Sequence, residues 1–257
     1  NGQIKDLQDP LKDGDQVTLL DIKSEQAQDT ICHSAEHVLA AAVIELFPNA
    51  QVTMGPKDHK DGFYYDFDIG RAFLDEDLVK IEKKMGELIA SGITFTKKWL
   101  KKSEAKELFA SLGQRYKPEI LDWIEGDEVT IYQSGNFIDL CRGPHLPSAS
   151  FIKAFKILGS SGSYWRADAS HEMLQRISGI AFSDKKLLDE YVFRLEEAKK
   201  RDHRKLGPKL GLFFVSDRFS SFQDSEKIAS EARVLAHVPQ KFYDDGRINN
   251  VVAELQA

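Results

Sequence analysis

The chain has 257 residues, 42% of them hydrophobic and 30% charged, an ordinary globular balance with room for one large domain or two smaller ones. A net charge of −6 argues against nucleic acid gripped over a broad basic surface, though not against an RNA end taken into a cleft. No apolar run is long enough to cross a bilayer, so no membrane partner is expected. No leader pattern opens the sequence, although a start at Asn1 leaves room for one already removed. The two cysteines, Cys32 and Cys141, are too few for a disulfide framework and point to a reducing compartment.

Residues 1–22 read as strand, turn and strand, with Gly14 in the turn before the alternating Val17, Leu19 and Ile22. The piece is too short to bury its own apolar face, as the end of a small domain would be. Asp29 or Thr30 can cap a helix running to about Phe47, where Val38, Leu39, Ala42, Val43 and Leu46 recur at helical spacing. Strands are expected at 51–55 and 62–69. In the second, Phe63, Tyr65 and Phe67 alternate with Tyr64, Asp66 and Asp68. An amphipathic helix from Leu74 to Ala90, a strand at 93–100 and a short helix from Glu104 to Leu112 capped by Ser103 follow. The pattern at 128–140 is a hairpin turning at Ser134-Gly135-Asn136. A strand broken by glycine and serine covers 155–165. A charged helix runs from Lys185 to Lys205, a solvated linker by its composition. Beyond it, one helical stretch (Ser225 to His237) and a turn at Asp245-Gly246 can be read.

Two clusters carry chemistry. His33 and His37 are four apart on a predicted helix, so both lie on one face; alone, such a pair is as consistent with two surface histidines. Cys141 and His145 are also four apart, but across Gly143-Pro144, which favours a turn. Together they offer three imidazoles and one thiol, a set that suits tetrahedral zinc. Spacing leaves a Cys-His₃ metal site and a metal-free hydrolytic pocket both open, and a thiol such as Cys141 is also commonly a small buried hydrophobe.

The strings HSAEHVLAAAVIELFPNAQVTMGP (33–56), DGFYYDFD (61–68), YKPEIL, FIDLCRGPHLP, SGSYWRAD, MLQRISGIAF and LEEAKKRDHRKLG occur in that order. Over roughly residues 1–212 this resembles the editing half of bacterial-type threonyl-tRNA synthetases. The resemblance implies an α+β editing domain of the threonyl/alanyl-tRNA synthetase type, an antiparallel sheet with packed helices, at 23–183. It implies the C-terminal end of a β-grasp (TGS-like) domain at 1–22, a linker helix at 184–206, and the start of a missing catalytic region or an unassigned tail at 207–257. His33 and His37 fall on the cleft histidines, Cys141 and His145 on the Cys-x-x-x-His pair, Asp139 on the aspartate before it, Lys117 on the Tyr-Lys element and Tyr65 on the second tyrosine of the Gly-Phe-Tyr-Tyr-Asp strand. Three positions depart from the pattern: Ala35 where cysteine is frequent, Glu36 where a small residue is frequent, and Ala167 where glycine is usual. The last matters if the backbone there needs a positive φ.

The expected activity is hydrolysis of serine from mischarged tRNA(Thr), with the acceptor end of that tRNA as partner. The catalytic set is His33, His37, Lys117, Cys141 and His145, with Tyr65 and Asp139 binding substrate. His33 is first choice for proton transfer, Asp139 for the seryl ammonium, and Lys117 for the water or the oxyanion charge. No cofactor is required in this reading. The rivals are a zinc-dependent hydrolase of the alanyl-editing type, using His33, His37, Cys141 and His145, and an inactive module that binds tRNA or a partner. No motif for ATP and amino-acid activation follows Leu212, so ATP and zinc would belong to a catalytic core not present in this chain, the core through which full-length members typically dimerise. The resemblance implies a cytoplasmic protein, or an organellar one if a leader has been removed. Cys32, His59, His171, His203 and His237 read as structural or surface residues.

Overall fold

From Thr30 to Val43 every residue except His33 is buried, so the helix that carries them, α1 (Glu25–Leu46), is enclosed rather than lying on one face. Its alanine-rich sequence suits that position, since small side chains let neighbouring elements approach from all sides. The computed structural model describes residues 4–210; the stretch Ser225 to His237 and the turn at Asp245-Gly246 lie outside the described residues. Helix α1 begins earlier than its sequence suggests, after Ser24. Asp29, a candidate cap, instead accepts a hydrogen bond from the backbone N–H of His59 (2.6 Å).

Two antiparallel sheets surround α1. The first has the order β1-β2-β7-β6, built from β1 (Gln51–Val52), β2 (Phe63–Asp68), β6 (Ala154–Tyr164) and β7 (Met173–Phe182). The second has the order β3-β4-β5, from β3 (Phe95–Lys101), β4 (Glu128–Ser134) and β5 (Phe137–Leu140). Helix α1 packs on β2 and β7 of one and on β4 and β5 of the other, with α2 (Asp75–Ser91) beside it. The α+β architecture expected for an editing domain is therefore present. In β2 the alternation holds: Phe63, Tyr65 and Phe67 are buried. Asp66 is buried as well, because Arg176 on β7 holds its carboxylate with two hydrogen bonds of 2.7 and 2.9 Å.

Gly92, at φ 68°, ends α2 in the left-handed region. Helix α3 (Lys102–Ser111) follows β3, and α4 (Tyr116–Trp123) follows α3. Helix α4 has no counterpart in the sequence reading. Its Pro118 looks like a breaker, but it sits in the first turn, where its missing N–H costs nothing. The strands expected at 1–22 do not form in residues 4–22, which contain neither helix nor strand. Instead, Gln8 bridges to the β3 backbone, donating to Phe95 O (2.9 Å) and accepting from Lys97 N (3.0 Å).

Contacts divide the chain after Glu190. The predicted helix 185–205 is interrupted: α5 (Lys185–Lys200) and α6 (His203–Lys209) flank a break at Arg201 and Asp202. Aspartate favours a helix start over an interior position, and the Asp202 carbonyl accepts from Lys205 and Leu206. Among the described residues no helix is long and apolar enough to cross a membrane.

Candidate active site

The burial of α1 decides what its polar residues are for. His37 is 1% exposed and Ser34 and Glu36 are buried beside it, so the surface reading of the histidine pair is wrong for His37. Opposite them, β5 ends and the chain turns through Cys141–His145. Gly143 has φ 73°, and a Cβ there would lie 2.1 Å from the Tyr132 hydroxyl oxygen, so only glycine allows this turn. The turn is tied to α1 along its length. His33 Nδ1 donates to Pro144 O (3.2 Å). The Ser34 hydroxyl accepts from Leu146 N (2.9 Å) and lies 3.2 Å from His145 Nδ1. Asp6, from the N-terminal segment, accepts from His145 N (3.2 Å) and the Tyr132 hydroxyl (3.0 Å).

The two distant motifs therefore meet. One ligand-type atom from each of His33, His37, Cys141 and His145 lies within 4.8 Å of the others. Cys141 Sγ is 3.1 Å from His33 Nε2 and 3.3 Å from His145 Nε2. Of the four, His33 and Cys141 are partly open to solvent, while His37 and His145 are buried.

Asp139 and Lys117 form a buried ion pair with Tyr65 between them. Lys117 Nζ bonds the Asp139 carboxylate and donates to Thr53 O and to the Tyr65 hydroxyl, both at 2.7 Å. The Tyr65 hydroxyl in turn donates to Asp139 Oδ2 (2.7 Å), and Leu140 N donates to Oδ1 (2.7 Å). A carboxylate offers about four acceptor positions, so one remains, on Oδ2. His37 Nε2 stands 3.8 Å from that oxygen, while His37 Nδ1 is buried without a partner.

Burial sets the protonation states. It lowers His33 and His145 well below the ordinary imidazole value, with neighbouring imidazoles adding to the effect. It lowers His37 to about 3, helped by the Lys117 charge. Burial also pushes the Cys141 thiol well above its ordinary value, with the Asp139 and Glu36 charges adding to it. Near neutral pH the cluster is three neutral imidazoles and a protonated thiol. Since the Pro144 carbonyl can only accept, the His33 proton sits on Nδ1, and the Nε2 lone pair faces the Cys141 sulfur.

The donors also suit zinc in type and spacing. Zinc bonds of roughly 2.0–2.3 Å put neighbouring tetrahedral ligands about 3.3–3.6 Å apart, close to the two sulfur–nitrogen distances above. Pro144 O and Ser34 Oγ hold the remote nitrogens of His33 and His145, as such partners do for metal-bound histidines.

Of the structural and surface readings left open for His59, the structural one fits: it is 4% exposed and bonded to Glu36. Nothing in its sequence spacing signals this, because its partner lies 23 positions away. Ser34, Thr53 and Asp6 were also missed, each acting through a backbone-directed hydrogen bond. Cys32 is buried against Ala181 O, and His171 is exposed. Ala167 has φ 55°, so the departure from glycine falls on a backbone that favours glycine. A hollow of about 370 Å³ bordered by Arg115, Tyr116, Trp165 and Arg166 contains none of the predicted site residues.

Residues 129–178, which include Asp139, Cys141 and His145, match the family described as "Threonyl and Alanyl tRNA synthetase second additional domain". Over 217 residues, 84% of this chain, the sequence is 50% identical to a threonine–tRNA ligase of Citrifermentans bemidjiense. It is 49% identical over 218 residues to that of Legionella pneumophila strain Corby, and 46% identical over 218 residues to that of Marinobacter nauticus. In each case 84% of this chain is covered, and the match spans only 34% of the relative.

Proposed function

Because the chain belongs to the threonyl-tRNA synthetase family and carries its editing region, we propose that the cleft hydrolyses the ester joining serine to the 3′ end of tRNA(Thr). The observation that carries this reading is the meeting of His33 and His37 with Cys141 and His145, one turn of chain after Asp139. Serine differs from threonine by a methyl group, and such a difference gives only about 1–3 kcal/mol of discrimination in a single site. A second site that admits serine and rejects threonine by size corrects the error.

In the proposed reaction the seryl ammonium takes the open acceptor position on Asp139 Oδ2, a charge-assisted bond. The Cys141 thiol has one proton to offer to His33 Nε2 (3.1 Å) or His145 Nε2 (3.3 Å); with it turned to His145, neutral His33 takes a proton from the attacking water at Nε2. Lys117 sits behind Asp139 and Tyr65, committed to both. In this reading its role is to hold the binding carboxylate, in place of holding the water or stabilising the oxyanion charge. Cys141 is held as a thiol, and a thiol is a poor nucleophile, which favours water over a covalent acyl intermediate. The matched relatives are named threonine–tRNA ligases; ATP-dependent charging of tRNA(Thr), a tRNA partner and a cytoplasmic setting come to this chain by that kinship, as parts of the same proposal.

A second reading follows from the donor set: His33, His37, Cys141 and His145 hold zinc, which supplies an activated water when bound. The test is His33→Ala. The proposed reaction loses on the order of 10²-fold or more in seryl-tRNA release, the lower end of general-base effects. Release at the wild-type rate would remove His33 from the mechanism.

A further inference from the structure

Beside the cleft lies a second polar pair that the proposed reaction does not use. Glu36, on α1 three residues after His33, and His59, in the loop before β2, are each 4% exposed. Glu36 Oε2 and His59 Nε2 are 2.6 Å apart. The fold makes specific room for them. A Cβ on Gly55 would lie 2.3–2.5 Å from the Glu36 carboxylate atoms, and Asp29 fixes the His59 backbone through its N–H. Burying a carboxylate and an imidazole away from water is costly unless each is paired.

His33, Glu36 and His59 could be taken for a second metal site, since their donor atoms lie within 4.8 Å of one another. The 2.6 Å separation of the glutamate oxygen and imidazole nitrogen decides against it. Adjacent ligands on a tetrahedral zinc stand about 3.3 Å apart, and 2.6 Å is the spacing of a hydrogen bond. The pair's visible contact with the cleft is through its ring. His59 stacks on His33 with centroids 4.5 Å apart and planes at 26°. His145 also approaches the His33 ring, at 4.1 Å and 34°. His33 is held at Nδ1 by Pro144 O and at Nε2 by Cys141 Sγ (3.1 Å), and these two rings, with His37 edge-on at 5.4 Å, bound its faces and edge.

We propose that Glu36 and His59 are positioning residues: Glu36 locks the His59 ring, and that ring fixes the plane of His33 so that Nε2 points at the reacting centre. The role rests on the deacylation reading above. Freeing His33 leaves the substrate contact at Asp139 in place, so the defect appears in kcat and not in KM. A reacting group displaced by about 1 Å can lose on the order of 10²-fold in rate.

The test compares Glu36→Ala, Glu36→Gln and His59→Gln with the wild-type chain. Two quantities are read: kcat and KM for seryl-tRNA(Thr), and the His33 ring carbon–proton resonance by NMR. Glu36→Ala lowers kcat about tenfold or more, leaves KM within about twofold, and broadens or shifts the His33 resonance. Glu36→Gln keeps the hydrogen bond and the volume, and stays near wild type in both. His59→Gln keeps a partner for Glu36 but removes the ring; it shows the Glu36→Ala defect with an intact fold. A wild-type kcat with an unmoved His33 resonance in His59→Gln overturns the proposal. So does a Glu36→Gln variant as impaired as Glu36→Ala. If the wild-type chain releases no serine, the deacylation reading fails, and the His33 resonance alone then decides whether the pair holds the ring.

Discussion

Replacing Lys117 by methionine keeps most of the side chain's length and removes its charge. The side chains of Lys117 and Asp139 are 2% and 4% exposed, so the lost cation leaves a carboxylate largely stripped of water. Breaking a buried pair from one side costs about 3–5 kcal/mol, whereas neutralising both partners often costs little. Lys117→Met also deprives Thr53 O and the Tyr65 hydroxyl of a donor, which places the expected loss in the upper part of that range. For a unit of this size, with about 2–4 °C per kcal/mol, the midpoint falls by roughly 8–20 °C. Urea unfolding followed by tryptophan fluorescence measures the loss. Lys117→Met combined with Asp139→Asn recovers at least about 2 kcal/mol of it, a coupling expected only between groups in contact. A single-variant loss below about 1 kcal/mol, or additive losses in the pair, would refute a buried charge pair beneath the cleft.

Gly143→Ala combines a left-handed φ, worth about 1–2 kcal/mol for a residue with Cβ, with a contact of 2.1 Å to the Tyr132 hydroxyl. Loss of at least about 2 kcal/mol in urea unfolding is expected, and an unchanged midpoint contradicts the turn geometry. Stability also falls with acid. His33, His37 and His145 sit below the ordinary 6.5 when folded, so below that pH the unfolded chain binds up to three protons more. Glu36, pushed up to about 7 mainly by burial against its ordinary 4.5, opposes them by one proton between pH 4.5 and 7. The stability from neutral histidines is therefore complete above pH 6.5 and is lost towards 4.5 by up to about 2–3 kcal/mol per pH unit; equal unfolding midpoints at pH 7 and pH 5 count against it. Cys141→Ala retains seryl-tRNA release within about tenfold if water is the nucleophile, because general acid–base and binding terms remain. Abolished release, with an acyl group trapped on the wild-type cysteine, contradicts that route.

Much of the fold was legible because burial writes a period into the sequence. The β2 alternation, the β4–β5 hairpin and the Gly92 stop of α2 each follow from local chemistry. Helix α4 was hidden by Pro118, whose position within the helix decides its effect. Strand β7 was present as the string MLQRISGIAF, but its pairing with both β2 and β6 is a long-range fact. The N-terminal strands were expected from a glycine turn, alternation and the resemblance; residues 4–22 instead contact β3 and the cleft through Gln8 and Asp6. In the site, the four-residue spacings showed which donors share a face but not that the two faces meet. The resemblance placed Lys117, Asp139 and Tyr65, and the structure ties Lys117 to the other two. Glu36 stood out only as a departure from a family pattern, and His59 did not stand out, because a partnership across 23 residues leaves no local pattern.

The central claim is that this cleft releases serine and spares threonine. The direct measurement is the first-order loss of label from seryl-tRNA(Thr) and threonyl-tRNA(Thr) incubated with the purified chain, with and without a chelator. Rapid loss of serine alone, unchanged by chelator, is the predicted result. Equal loss of both amino acids contradicts selection by size, and loss of serine that stops on chelation moves the chemistry to zinc.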